Sequence, residues 1–88
     1  MYQVLIKPSA KKDFDTLPKD YFDRIKRAIG ILQYEPLPLR ELDVKKIKGS
    51  ENDYRIRVGK YRFIYTILKD ENVIVIVKIE RRNETTYK

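Results

Sequence analysis

The chain has 88 residues, with 20 Lys plus Arg against 13 Asp plus Glu, a formal charge of +7, 42% hydrophobic residues and neither cysteine nor histidine. That length and apolar content fit one small domain over residues 1–88, which excludes a two-domain enzyme and a disordered chain. Without cysteine and histidine there is no disulfide framework, thiolate nucleophile, cysteine-ligated zinc or imidazole base, so any chemistry falls to Arg, Lys, Tyr, Asp, Glu, Ser or Thr.

Tyr2, Val4 and Ile6 alternate with Gln3, Leu5 and Lys7 and predict a short strand. Ser9 is expected to cap a first helix whose inward face is Ala10, Phe14 and Leu17. Pro18 separates it from a second helix. There Phe22, Ile25, Ile29 and Leu32 form an apolar stripe flanked by Tyr21 and Ala28, and Asp20, Asp23, Lys26 and Arg27 hold the opposite face. Pro36 and Pro38 end that helix. Residues 39–53 read as a loop containing a short strand at 44–47. Residues 54–58 and 61–67 alternate as two strands joined by a turn at Gly59 and Lys60. Residues 73–79 are an apolar, β-branched strand, expected to be central and covered on both faces, and 80–88 an irregular polar tail. The longest apolar run, 73–77, is too short to span a bilayer, and residues 1–7 lack a signal-peptide core, so a cytoplasmic protein with no membrane partner is expected. Helices gathered before a run of strands predict an α+β fold of two layers, two N-terminal helices on one face of a small antiparallel sheet.

The charge is concentrated. Arg40, Lys45, Lys46, Lys48, Arg55, Arg57, Lys60 and Arg62 stand against Glu41, Asp43, Glu51 and Asp53 in the same stretch, a bias that favours a polyanionic partner. A two-residue turn at Gly59 and Lys60 sets the hairpin register. Val58 then pairs with Tyr61, Arg57 with Arg62, Ile56 with Phe63 and Tyr54 with Tyr65. Ile56, Val58, Tyr61, Phe63 and Tyr65 fall on the core face, and Arg55, Arg57 and Arg62 on the other. Arg57 directly opposite Arg62 is an unfavourable pair, by roughly 0.2–1 kcal/mol. An anion held between the guanidinium groups, phosphate above all, gives a reason to keep it. The alternative is that these arginines lie flat and solvated, with Glu80 opposite Arg62 neutralising one of them if 70–72 is a three-residue loop. In the tail, Arg81, Arg82 and Tyr87 either join the cationic face or belong to a frayed end. No phosphate-binding loop, dinucleotide fingerprint or carboxylate pair suited to a metal is present.

The run Tyr54-Arg55-Ile56-Arg57-Val58-Gly59-Lys60-Tyr61-Arg62-Phe63-Ile64-Tyr65 resembles the RelE/ParE superfamily of toxins from bacterial and archaeal toxin–antitoxin pairs. Lys46-Ile47-Lys48-Gly49 and Leu17-Pro18 are similar to the same family. The tail Arg81-Arg82-Asn83-Glu84-Thr85-Thr86-Tyr87 is similar to the RelE branch.

The resemblance implies a ribosome-dependent mRNA endonuclease that cuts in the ribosomal A site by attack of the RNA's own 2′-OH, leaving a cyclic phosphate and a free 5′-OH. It implies no metal, no cofactor, a cognate RelB-like antitoxin, and the ribosome and mRNA as partners. Carried over by position, Arg62, Arg81 and Tyr87 are the expected catalytic set, and Arg55, Arg57, Lys48 and Arg82 the expected RNA-phosphate contacts. Some relatives have Lys where this chain has Arg55 and Arg57. An arginine is almost never neutral and is a poor base, so either Tyr87, Glu80 or a ribosomal group takes that role, or catalysis is mostly positioning plus electrostatics. Two other functions remain open, a ParE-like inhibitor of DNA gyrase and a non-catalytic RNA-binding module of the same fold.

Overall fold

The computed structural model describes residues 1–81. In chain order they form β1 (Gln3–Ile6), α1 (Pro8–Asp15), α2 (Lys19–Leu32), β2 (Asp43–Lys46), β3 (Asp53–Val58), β4 (Tyr61–Leu68) and β5 (Val73–Arg81), with a 3-10 turn at Lys69–Glu71. The strands make one sheet in the order β1-β5-β4-β3-β2. The two-layer α+β class is as expected, but the sheet is mixed. β2 to β5 form an antiparallel meander, whereas β1 lies parallel to β5. β2 runs opposite to β1, and the three reversals of the meander return β5 to the direction of β1.

Residue chemistry explains the helix ends. Ser9 does not cap α1. The cap position is Lys7, without a side-chain cap bond, and Pro8 opens the helix, where its fixed φ and missing N–H cost nothing. α2 starts directly after Pro18, as the sequence predicts. Its buried stripe is centred on Ile25, Ala28 and Leu32, with Phe22 and Ile29 at the margins.

Both helices pack on one face of the sheet. Ala10, Phe14, Ile25, Ala28 and Leu32 meet Ile56, Val58, Phe63, Tyr65, Ile67, Ile74, Ile76 and Ile79 in a single core. Phe14 stacks on Phe22 at 4.5 Å between ring centroids, which ties the two helices together. The core includes one polar anchor. The fully buried Tyr65 donates its hydroxyl to the Pro36 carbonyl at 2.8 Å, and burial pushes its ionisation well above the ordinary tyrosine value, with Tyr54 adding to the shift. Tyr65→Phe removes that bond and strands the carbonyl, so we expect a loss of about 1–2 kcal/mol in urea unfolding. Unchanged stability would show that the bond contributes nothing.

β5 is an interior strand, between β1 and the central β4, and is covered by helices on one face only among the described residues. Val73 and Val75 lie on the other side with Ile64 and Leu68, all half-buried, beside the more exposed Leu5. β5 also runs on through Glu80 and Arg81, which pair with Arg62 and Tyr61, where the sequence suggested an irregular tail. No helix among the described residues is long and apolar enough to cross a membrane.

Candidate functional site

Gly59 adopts φ +57°, and the hairpin register is the one alternation predicts: Val58 with Tyr61, Arg57 with Arg62, Ile56 with Phe63 and Tyr54 with Tyr65. Arg55, Arg57 and Arg62 therefore stand on the face opposite the helices. Arg62 lies opposite Glu80, but not through a three-residue loop. Leu68 pairs with Val73 across four residues, and a bulge at Val77 restores the frame before Lys78 meets Ile64.

The register extends over four strands. Asp43, Arg57, Arg62 and Glu80 form one row, with an acid at each end and two arginines in the middle. Arg57 Nε donates to Asp43 Oδ2 at 2.9 Å, Arg62 Nε donates to Glu80 Oε2, and Arg55 Nη2 lies 4.0 Å from Asp43 Oδ1. The like-charge pair in the middle is thus offset from both sides. All three arginines have a carboxylate neighbour, so the neutralised alternative is partly realised.

Two features keep this face open to an anion. Each central arginine is held through Nε, and among the described residues its terminal Nη groups donate no hydrogen bond. Arg57 and Arg62 remain 43% and 40% exposed at the side chain. The carboxylates therefore orient the two guanidinium groups and leave their ends available for a bidentate oxyanion. Lys45, Arg55, Arg57, Arg62 and Lys78 also outnumber Asp43, Asp53 and Glu80 on the face.

Glu80 is the most constrained of the acids. Burial alone would raise its carboxyl, but hydrogen bonds and charge from Arg62 and Lys78 hold it below the ordinary carboxylate value. A carboxylate held that way is a weak base, which argues against Glu80 as the proton acceptor. Its depressed folded-state value also makes it a stabilising group. That contribution is full above the unfolded carboxylate range near pH 4.3 and is lost as pH falls through the lower folded value. We expect Glu80→Gln to cost about 1 kcal/mol or less at neutral pH, with the gap closing toward pH 3. Urea titrations of both proteins at the two pH values check this; a gap that widens in acid would contradict it.

The remaining predicted residues are dispersed. Arg81 pairs with Tyr61, so its side chain leaves from the helix-bearing face at the end of β5, not beside Arg62. Lys48 is exposed on the turn after β2, beyond the end of the strand remote from Asp43. Arg82 and Tyr87 lie outside the described residues. Sequence reasoning missed Asp43 as a partner of Arg57. Carrying the hairpin register onto residues 43–46 would have found it.

The family described as "ParE toxin of type II toxin-antitoxin system, parDE" matches residues 4–86. The putative toxin RelE1 of Methanocaldococcus jannaschii is 39% identical over 87 residues, covering 99% of this chain and 96% of that protein. The chain belongs to the RelE/ParE toxin superfamily. Among solved structures, the archaeal RelE–RelB complex from Pyrococcus horikoshii matches with a TM-score of 0.84 and 36% identity, over 94% of this chain and 97% of that one. The RelB–RelE antitoxin–toxin complex from Methanococcus jannaschii matches at 0.76 and 32%, over 94% of each chain. The isolated E. coli RelE toxin shares the fold, at 0.82 and 16% identity, over 96% of this chain and 87% of that one. The chain is a toxin of the RelE type, and the arginine row lies on the open sheet face of that fold.

Proposed function

We propose that this toxin is a ribosome-dependent mRNA endonuclease that cleaves in the A site without a metal. The observation that carries the reading is the Arg57–Arg62 pair, facing across β3 and β4 and flanked by Asp43 and Glu80. A phosphodiester accepted by the terminal groups of both arginines would have its charge balanced where it increases. In the reaction the 2′-oxygen bonds to the neighbouring phosphorus and loses its proton. The bond from phosphorus to the 5′-oxygen breaks, and that oxygen takes up a proton. The products are a 2′,3′-cyclic phosphate and a 5′-OH. Arg62 stabilises the additional negative charge of the five-coordinate phosphorus, and Arg55 and Arg57 grip the phosphates. Arg81 leaves the end of β5 from the opposite, helix-bearing face and stands outside this phosphate site. Tyr87 is proposed to stack on the nucleotide, and Lys48 and Arg82 to add peripheral phosphate contacts.

The relatives' complexes with RelB support an antitoxin as the resting partner. The half-buried apolar side chains Ile64, Leu68, Val73 and Val75, next to the arginines, give such a partner a surface to cover. Primer extension on mRNA in a cell-free translation reaction tests the enzyme reading. Cuts are expected within translated codons and not on the same RNA without ribosomes. Because the matching family carries the ParE name, inhibition of DNA gyrase is the second reading. Loss of supercoiling activity with intact mRNA would select it.

A further inference from the structure

We propose that the cleft between α2 and the β2–β3 edge is a second phosphate site for single-stranded RNA, formed by Arg24 and Arg27, with Arg57 at its border. The inference rests on RNA being the ligand of the open face. The cleft has a volume of about 420 Å³. Its floor is apolar, with Ala28 and Val58 buried and Leu42 half-buried. Arg24 and Arg27 are neighbours on α2, three residues apart, and both are exposed. Neither has a carboxylate partner among the described residues. Glu41 and Asp43 line the β2 side, but Asp43 is already engaged by Arg57. Guanidinium groups at the rim of the cleft can donate paired hydrogen bonds to the oxygens of a phosphate.

The site is also organised in advance. The Arg24 guanidinium sits 5.0 Å from the centre of the Tyr21 ring. Tyr21 in turn packs on Tyr61 at 4.6 Å and accepts the Lys60 backbone N–H at 3.2 Å. Gly59 makes this possible. A Cβ there would lie 2.7 Å from the Tyr21 hydroxyl and 3.2 Å from Arg24 Nη1. Arg57 borders both the open face and the cleft, so a strand seated on Arg57 and Arg62 can continue over the β2–β3 edge toward α2.

The test uses fluorescence anisotropy with a labelled single-stranded RNA of about ten nucleotides, titrated from about 50 to about 300 mM KCl. Wild type is compared with R24A/R27A and with K19A/K26A, which removes the same formal charge from α2 outside the cleft. Circular dichroism confirms that each variant is folded. We expect R24A/R27A to weaken binding about tenfold at low salt and to reduce the slope of log K against log salt by about 1.4, the value for two lost contacts to a single strand. K19A/K26A is expected to change the slope far less. Equal effects of the two double variants, or no effect of R24A/R27A, would overturn the cleft assignment. The enzyme reading is scored separately, by wild-type cleavage in translating ribosomes. If that fails while the difference in RNA binding persists, the cleft stands and only the ribosomal reading falls.

Discussion

Arg62→Ala is expected to lower the rate of mRNA cleavage in translating ribosomes by about 10²–10³-fold, while the thermal unfolding profile stays close to wild type. The magnitude is that of removing one pre-aligned donor from a developing oxyanion. The Arg62–Glu80 pair, still partly open to solvent, contributes about 1 kcal/mol or less to the fold, so loss of activity and loss of structure are separable. Arg62→Lys should recover only part of the rate. Lysine keeps the charge but has neither the Nε held by Glu80 nor two further terminal nitrogens to offer an oxyanion. Single-turnover primer extension with saturating toxin reads the effect on chemistry. A rate within twofold of wild type for Arg62→Ala would remove Arg62 from the mechanism.

The second large effect is expected at Gly59. Its φ of +57° disfavours any residue with a Cβ, and the Tyr21 hydroxyl and Cε1 would lie 2.7 and 2.8 Å from the added atom. For Gly59→Ala, Tyr21 must swing away, giving up the Lys60 N–H and its contact with Tyr61. Together with the left-handed backbone penalty, this should cost about 2–3 kcal/mol in urea unfolding. The two causes can be separated. In a Tyr21→Ala background the steric part disappears and only the backbone part, about 1–2 kcal/mol, remains. An equal cost in both backgrounds would show that Tyr21 does not restrain the turn. Because the turn sets the frame in which Arg57 meets Arg62, Gly59→Ala should also reduce cleavage among molecules that remain folded.

The hairpin was legible in the sequence because a two-residue turn and strict alternation leave one register, and that register alone places three arginines on one face. The helix stripe was legible for the same reason of period. The rest depended on features that periodicity does not encode. Pro8 at the first helical position displaced Ser9 from the cap. Whether β1 pairs parallel or antiparallel is decided by the number of chain reversals between it and β5. The loop before β5 was misjudged by one residue, and the Val77 bulge absorbed the same residue, so Glu80 still met Arg62. Asp43 emerged as a partner only once β2 was paired with β3, because its strand sits in a loop-like sequence. Arg24 belonged to no predicted feature. Its significance comes from Tyr21 and Gly59, which are far apart in sequence and meet at the turn.

The most direct measurement is the affinity of wild type and of the Arg57→Ala/Arg62→Ala variant for ribosomes carrying an mRNA with a 2′-deoxynucleotide at the cut position. Wild type should bind without cutting, and the variant should bind at least about tenfold more weakly. Equal binding by the two proteins would mean that the paired guanidinium groups do not hold the phosphodiester.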